Sequence, residues 1–239
     1  MLSKIKISQK VYILGVIQLL LICLVGGVGY SQMSKIGLEL IDIAEEDIPL
    51  TGMLTRLTEH QLQEAVMFER ALRKGLANSS SDAQRRSDVQ AVRTDIDKLV
   101  KKSTLEFIEI TAFIEEGIPK LHSAEAVTEY KALLSRLRKV QEKYHSLKSE
   151  SNSALDTVLD AGESTNLESM IDLVEEHRDD IDHQLIEMLD SIQAFTLEAA
   201  LQAEKDEIAG VRLIGGLLIF SFIVAVIIPY LIAKSISAP

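Results

Sequence analysis

Two uncharged runs, one near each end, restrict what this chain can fold into more than any other feature. Residues 11–30 (VYILGVIQLLLICLVGGVGY) and 213–233 (LIGGLLIFSFIVAVIIPYLIA) contain no Asp, Glu, Lys or Arg. A helix rises about 1.5 Å per residue, so each run can cross the roughly 30 Å hydrocarbon core of a bilayer. Tyr12 and Tyr30 bracket the first run, where interfacial aromatic rings belong. The first run is long for the apolar part of a cleaved signal peptide. GGVGYSQ also lacks an A-x-A-like site, so an uncleaved anchor is expected. Gly26, Gly27, Gly29, Gly215 and Gly216 would let helices approach closely.

The charges are segregated in the same way. All 36 Asp and Glu fall between Glu39 and Glu207. Five of the 25 Lys and Arg lie outside residues 34–210, leaving 20 against 36 acids, a net of −16. Such a surface repels phosphate, so no nucleic-acid partner is expected. Lys4, Lys6 and Lys10 precede the first run and Lys234 follows the second. The positive-inside rule then puts both ends in the cytoplasm and the acidic middle outside. This gives a cytoplasmic N-terminus (1–10), a first span (11–30), an outside domain (31–210), a second span (211–233, with Arg212 snorkelling at its edge) and a short tail (234–239). The single cysteine, Cys23, lies in an apolar run, which excludes a disulfide framework and a cysteine zinc site.

The middle segment is predicted to be all-α. Its apolar residues recur with a helical period, and it has only two prolines, Pro49 and Pro119. Breaks are expected at residues 75–82, 115–123 and 161–166, with Asp82, Ser123 and Thr165 or Asn166 as N-caps. Four helices follow, over about 33–76, 83–116, 124–161 and 167–210, with a kink or short break near Pro49. Short connections favour antiparallel neighbours, hence an up-down-up-down four-helix bundle.

No P-loop, G-x-G-x-x-G, nucleophile elbow or H-E-x-x-H occurs, so no catalytic residue and no cofactor is expected. His177, Asp180 and His183 have the residue types of a metal site. His60, His145 and His183 fall at one height, but the helical wheel turns His60 and His183 outward, so no metal site is expected. The apolar stripes carry a more informative anomaly. One stripe runs Leu167, Ile171, Val174, Arg178, Ile181, Leu185, Met188, Ile192, and Arg178 falls near its centre. Another runs Tyr130, Leu133, Leu137, Val140, Tyr144, Lys148, Ser151, Asn152, Leu155, with Lys148 near the centre. Gln61 sits on the first helix's stripe, Glu69 at its edge, and Arg93 beside the second helix's stripe at a similar height. A polar, cation-rich layer therefore interrupts the expected core.

Unpaired buried charges cost several kcal/mol each, so the layer needs compensation. Internal pairing with Glu69 or Asp182, or Lys148 snorkelling outward, is one solution; an anionic ligand held by Arg178, Lys148, Asn152, Gln61 and Arg93 is another; and drift of the long helices off a straight wheel is a third. Arg70, Arg73 and Lys74 form a separate basic patch, most simply a solvated one. Val66 and Met67 lie off the core stripe and mark an apolar face that a homodimer would cover.

The tail AKSISAP (Ala233–Pro239) resembles the start of a HAMP signalling domain, with its basic residue, Ser-Ile and Pro. The stretch IAEEDIPLTGMLTRLTEHQLQEAVMFERALRKG (43–75) is similar to the sensory part of bacterial transmembrane chemoreceptors. Together with the span–helices–span layout, the whole chain resembles the N-terminal part of a methyl-accepting chemotaxis protein. The resemblance implies a periplasmic four-helix-bundle sensor in the bacterial inner membrane, a homodimer, and a small-molecule ligand or periplasmic binding protein as partner. It also implies an output module beyond Pro239. Sensor histidine kinases and diguanylate cyclases share this input layout, and a membrane-anchored adaptor that binds a partner protein is the alternative of a different class.

Overall fold

The computed structural model describes residues 7–77, 81–161 and 166–237, and every element among them is helical. The elements are α1 (Ile7–Asp42), a π turn (Ile43–Asp47), α2 (Ile48–Gly75), α3 (Asp82–Gly117), a 3-10 turn (Ile118–Lys120), α4 (Ala124–Ala161) and α5 (Leu167–Ser237). The expected break at Pro49 is instead a widened turn. Proline has no N–H to give to the carbonyl four residues back, and its ring crowds that carbonyl. The π turn relieves this with a longer hydrogen bond from Ile48 N–H to the Ile43 carbonyl.

The caps follow the expected chemistry, with one shift in position. Ser123 accepts the Ala126 N–H at 2.9 Å ahead of α4. Ahead of α3 the cap is Ser81, which accepts the Gln84 N–H at 3.4 Å, so the proposed cap Asp82 is the first helical residue. There its negative charge meets the positive end of the helix dipole. Thr165 lies outside the described residues, and Asn166 immediately precedes α5.

The chain divides into two units, residues 42–197 and the combination of 1–41 with 198–239. In the first, α2, α3, α4 and the first part of α5 share one apolar core. Leu50, Leu54, Leu57 and Phe68 of α2 meet Val100, Phe107, Ile110 and Ile114 of α3. Tyr130, Leu133, Leu137 and Val140 of α4 join Val174, Ile181, Leu185 and Met188 of α5. Each set recurs at alternating steps of three and four, which keeps one face of a long helix against its neighbours. Most of the acids are turned outward, and several pair across helices, as in Arg138–Glu115 and Lys143–Asp180.

In the second unit α1 and α5 lie side by side. Lys35 Nζ reaches Asp206 Oδ2 at 2.5 Å. Gly29 of α1 faces Ile214 and Gly210 of α5 faces Gln32, where a Cβ would sit 3.6 and 3.4 Å from those side chains, about an ordinary contact. Gly26, Gly27, Gly215 and Gly216 have open space at that position, and at Gly29 a Cβ would make only an ordinary contact, so none of the glycines singled out is required for a close approach. The most apolar stretches of these helices have mean hydropathies of 2.3 and 2.7, and none of either is buried. The two helices are long and apolar enough to cross a membrane.

Gly75 shows how closely the core of residues 42–197 is packed. A Cβ there would lie 2.1 Å from Val158 Cγ1, and valine is stiff at χ1. Gly75→Ala should destabilise the domain by about 1–3 kcal/mol in urea unfolding. In Gly75→Ala/Val158→Ala the new methyl should fill part of the space that valine vacates. The double variant should therefore lose less than the sum of the two single changes, and strict additivity would show that the two sites do not touch.

Candidate functional site

The predicted polar layer exists, with a different membership. A cavity of about 30 Å³ opens between α2, α3, α4 and α5, and its lining includes Gln61, Glu64, Phe68, Tyr144, Lys148 and Arg178. Ser151 and Asn152 also line it. Such a volume holds about two water molecules. Four of the five residues assigned to the site from sequence thus come together: Gln61, Lys148, Asn152 and Arg178.

Arg93 does not join them. It is partly buried on α3 and pairs with Asp156 of α4 at 2.5 Å. Lys148 lines the cavity but is exposed, so the layer holds one buried cation where two were expected. The physical reason is the period of α4. Its buried face runs Tyr130, Leu133, Leu137, Val140, Tyr144, Leu147, Ala154 and Val158, in the spacing of a helix seam at 3.5 residues per turn. A straight 3.6-residue wheel drifts off that seam and puts Lys148 where Leu147 belongs.

Arg178 is the buried cation, 8% exposed, and its guanidinium carbon sits 4.7 Å above the centre of the Phe68 ring. The ring's negative face replaces part of the lost hydration. Among the described residues no carboxylate oxygen lies within 4.0 Å of the guanidinium. Burial lowers the Arg178 pKa, while the charges of Asp182, Glu175, Glu69 and Glu64 raise it. The internal partners considered from sequence stand at a distance. Glu69 is exposed, and Asp182 Oδ1 is buried with no hydrogen-bond partner.

The acid that shares the cavity is Glu64, which sequence reasoning overlooked. Ser103 Oγ donates to its Oε1 at 2.6 Å, and the Tyr144 hydroxyl lies 3.1 Å from both carboxylate oxygens. Burial pushes the Glu64 carboxyl up to about 7. The Ser103 and Tyr144 hydrogen bonds and the charges of Arg178 and His60 act in the opposite direction. Gln61 is 1% exposed, and its Nε2 faces the Tyr144 oxygen but meets no partner in hydrogen-bonding geometry. The signal for Glu64 was present in the spacing. Leu50, Leu54, Leu57, Gln61, Glu64, Phe68, Ala71 and Gly75 form one unbroken three-and-four series, whose two polar members are Gln61 and Glu64.

A second buried polar group surrounds the π turn. Tyr130 donates to Asp47 Oδ1 at 2.8 Å, and Thr196 Oγ1 lies 3.2 Å from Oδ2. Burial raises the pKa of both Asp47 and Glu46. Asp42 accepts the His122 backbone N–H at 2.9 Å and meets its ring Nδ1 at 2.6 Å. Among the described residues no group of three or more His, Cys, Asp and Glu is arranged to hold a metal ion. His177 is paired with Glu150 at 2.7 Å and His183 with Glu187 at 3.2 Å. Arg70 and Arg73 are exposed.

No protein family, curated protein or solved structure matches this chain.

The Glu64 shift fixes the sign of a pH effect. An acid whose pKa rises on folding binds its proton more tightly in the folded state, so its contribution to stability falls as pH rises from about 4.5 to about 7. The Glu64 share of that loss is on the order of 3 kcal/mol. Glu64→Gln keeps the shape and an acceptor for Ser103 while removing the charge. Urea unfolding from pH 5 to 8.5 should show the variant gaining on the wild type as pH rises and exceeding it at pH 8. Parallel pH profiles would contradict the assignment.

Proposed function

We propose that this chain is the sensory part of a bacterial transmembrane receptor, a chemotaxis transducer of the methyl-accepting type. In this reading α2 to α5 form an antiparallel up-down-up-down bundle in the periplasm. The apolar stretches of α1 and α5 cross the inner membrane, and Lys234 begins the lead into a HAMP domain. The bundle's ligand is a small anion bound at Arg178.

The observation that carries the reading is α5 itself. It runs uninterrupted from Leu167 to Ser237 and contains both Arg178 and the second apolar stretch. A ligand that repacks the layer around Arg178 biases the position of this helix, and a stiff helix transmits displacement along its length. The differential contact required of any such switch is the guanidinium, which lacks a close internal carboxylate and gains one when an anion binds.

The test is a chimera in which residues 1–239 are joined to the HAMP and signalling domains of a chemoreceptor. Small, charged organic acids added outside the cell should change its kinase-controlling output. Arg178→Ala should abolish the response at an unchanged membrane level. A chimera that inserts stably yet answers none of these acids would favour the adaptor reading.

The receptor reading also includes a homodimer. Ile48, Leu62 and Val66 of α2 are 60%, 53% and 60% exposed, and their spacing puts them on one face. Met67, named with Val66 from sequence, packs against the core instead. In a Cys23→Ser background, single cysteines at Leu62 and Val66 should crosslink to their copies in membranes. Cysteines at Arg56 and Gln63, turned roughly 60–120° from those two positions, should crosslink less. Equal crosslinking at all four positions would remove this face as the interface.

A further inference from the structure

The cavity around Arg178 contains more than a cation, and what else it contains restricts what can enter. Its two under-used donors are the Arg178 guanidinium and Gln61 Nε2, which is buried and unpartnered. Both call for an acceptor, and the guanidinium calls for a negative one. The space is about 30 Å³, close to two water molecules, which fits the three heavy atoms of a carboxylate group in contact with the donors. The same space already holds a carboxylate, Glu64, bound by Ser103 and Tyr144.

An anion entering this site would therefore place two negative groups beside one buried cation. The neighbours that face Glu64 supply little relief. On α2, His60 is engaged by Glu106 at 2.8 Å. On α3, Ser103 is neutral and Asp97, which lines the cavity, adds negative charge. On α4, Tyr144 is neutral and kept protonated by burial, while Lys148 is exposed to solvent at the rim. On α5, Asp182 adds a further acid near Arg178. Two carboxylates confined together share a proton, because both cannot ionise in a water-poor space.

Resting on the reading of this cavity as the ligand site, we propose that it binds a small monoanion of formate or acetate size together with one proton on Glu64. The anion comes from the medium as the carboxylate and the proton comes from bulk water. The anion accepts from Arg178 and Gln61. The protonated Glu64 keeps one oxygen as acceptor for Ser103 and turns its new O–H toward the anion. No net charge is added to the core, so the site is loaded by the elements of an undissociated acid. Binding weakens as pH rises, although formate is almost wholly ionised, and acetate mostly ionised, throughout the range.

The resting protonation of Glu64, near 7, sets the window. At pH 8.5 the empty site holds little proton, so binding must draw one in. At pH 5.5 the proton is already present. The experiment is calorimetric titration of the full chain in lipid nanodiscs with sodium acetate and sodium formate. Each pH is run in two buffers of different ionisation enthalpy, which counts the protons taken up. The expected result is uptake approaching one proton per anion at pH 8.5 and falling towards zero at pH 5.5. The apparent Kd should rise by up to about tenfold per pH unit above 7.

Glu64→Gln should bind the anion with no proton uptake and a flat pH dependence. Arg178→Ala should not bind. Arg178→Lys, which keeps the charge, should bind more weakly with the same proton count should the alanine variant fail to fold by circular dichroism. Wild-type binding without proton uptake, or an unchanged pH profile in Glu64→Gln, overturns the proton coupling and leaves the ligand site standing. Absence of binding of either anion at pH 5.5, or binding that survives in a folded Arg178→Ala, overturns both.

Discussion

The apolar seams of residues 42–197 hold together helices whose surfaces repel one another. Residues 34–210 have a net charge of −16, and the helices α2, α3 and α4 are 28, 36 and 38 residues long. Helices of that length derive most of their stability in proteins from a buried apolar face. The three-and-four spacing keeps such a face continuous from Leu50 to Ala71 on α2 and from Tyr130 to Val158 on α4. Every other feature depends on those seams. The acids can crowd the outer faces because the seams anchor the helices, and the few polar residues that fall on a seam are forced together.

Gln61, Glu64, Ser103 and Arg178 are among those residues, and burial makes Glu64 and Arg178 unusual. Glu64 receives two hydroxyl donors and still holds its proton near neutral pH, because the surrounding core penalises its charged form. Arg178 rests on an aromatic ring instead of a carboxylate. Replacing such a group by a hydrocarbon would serve stability better, since buried charges rarely repay their desolvation. A cation, a protonatable acid and an amide whose Nε2 meets no hydrogen-bond partner are thus kept in one small cavity.

The π turn solves a different problem with the same economy. Pro49 would break a regular helix, yet α1 passes into α2 through a single widened turn. That turn turns Asp47 inward to Tyr130 and places Asp42 on His122, so α4 and the segment before it are tied to the start of α2. Glu46 in the same turn lies against Gly117, where a Cβ would come within 2.5 Å of its carboxylate oxygen. The proline thus leads to a polar anchor at the point where the core begins.

Much of this was legible in the sequence. Period and charge segregation determine the helices, their limits to within a few residues, and the two apolar stretches, because burial periodicity and membrane length are local properties of the chain. The outlying position of Arg178 in its stripe was equally visible. Which polar residues share a cavity was not, because it depends on how far each seam departs from a straight 3.6-residue wheel. That departure moves Lys148 to the rim, pairs Arg93 with Asp156, and brings Glu64 inward to Ser103 and Tyr144. The sequence by itself determined that a polar layer must interrupt the core. Only the tertiary structure decided that its buried charges are one cation and one acid, since that choice is made by the mutual rotation of four packed helices.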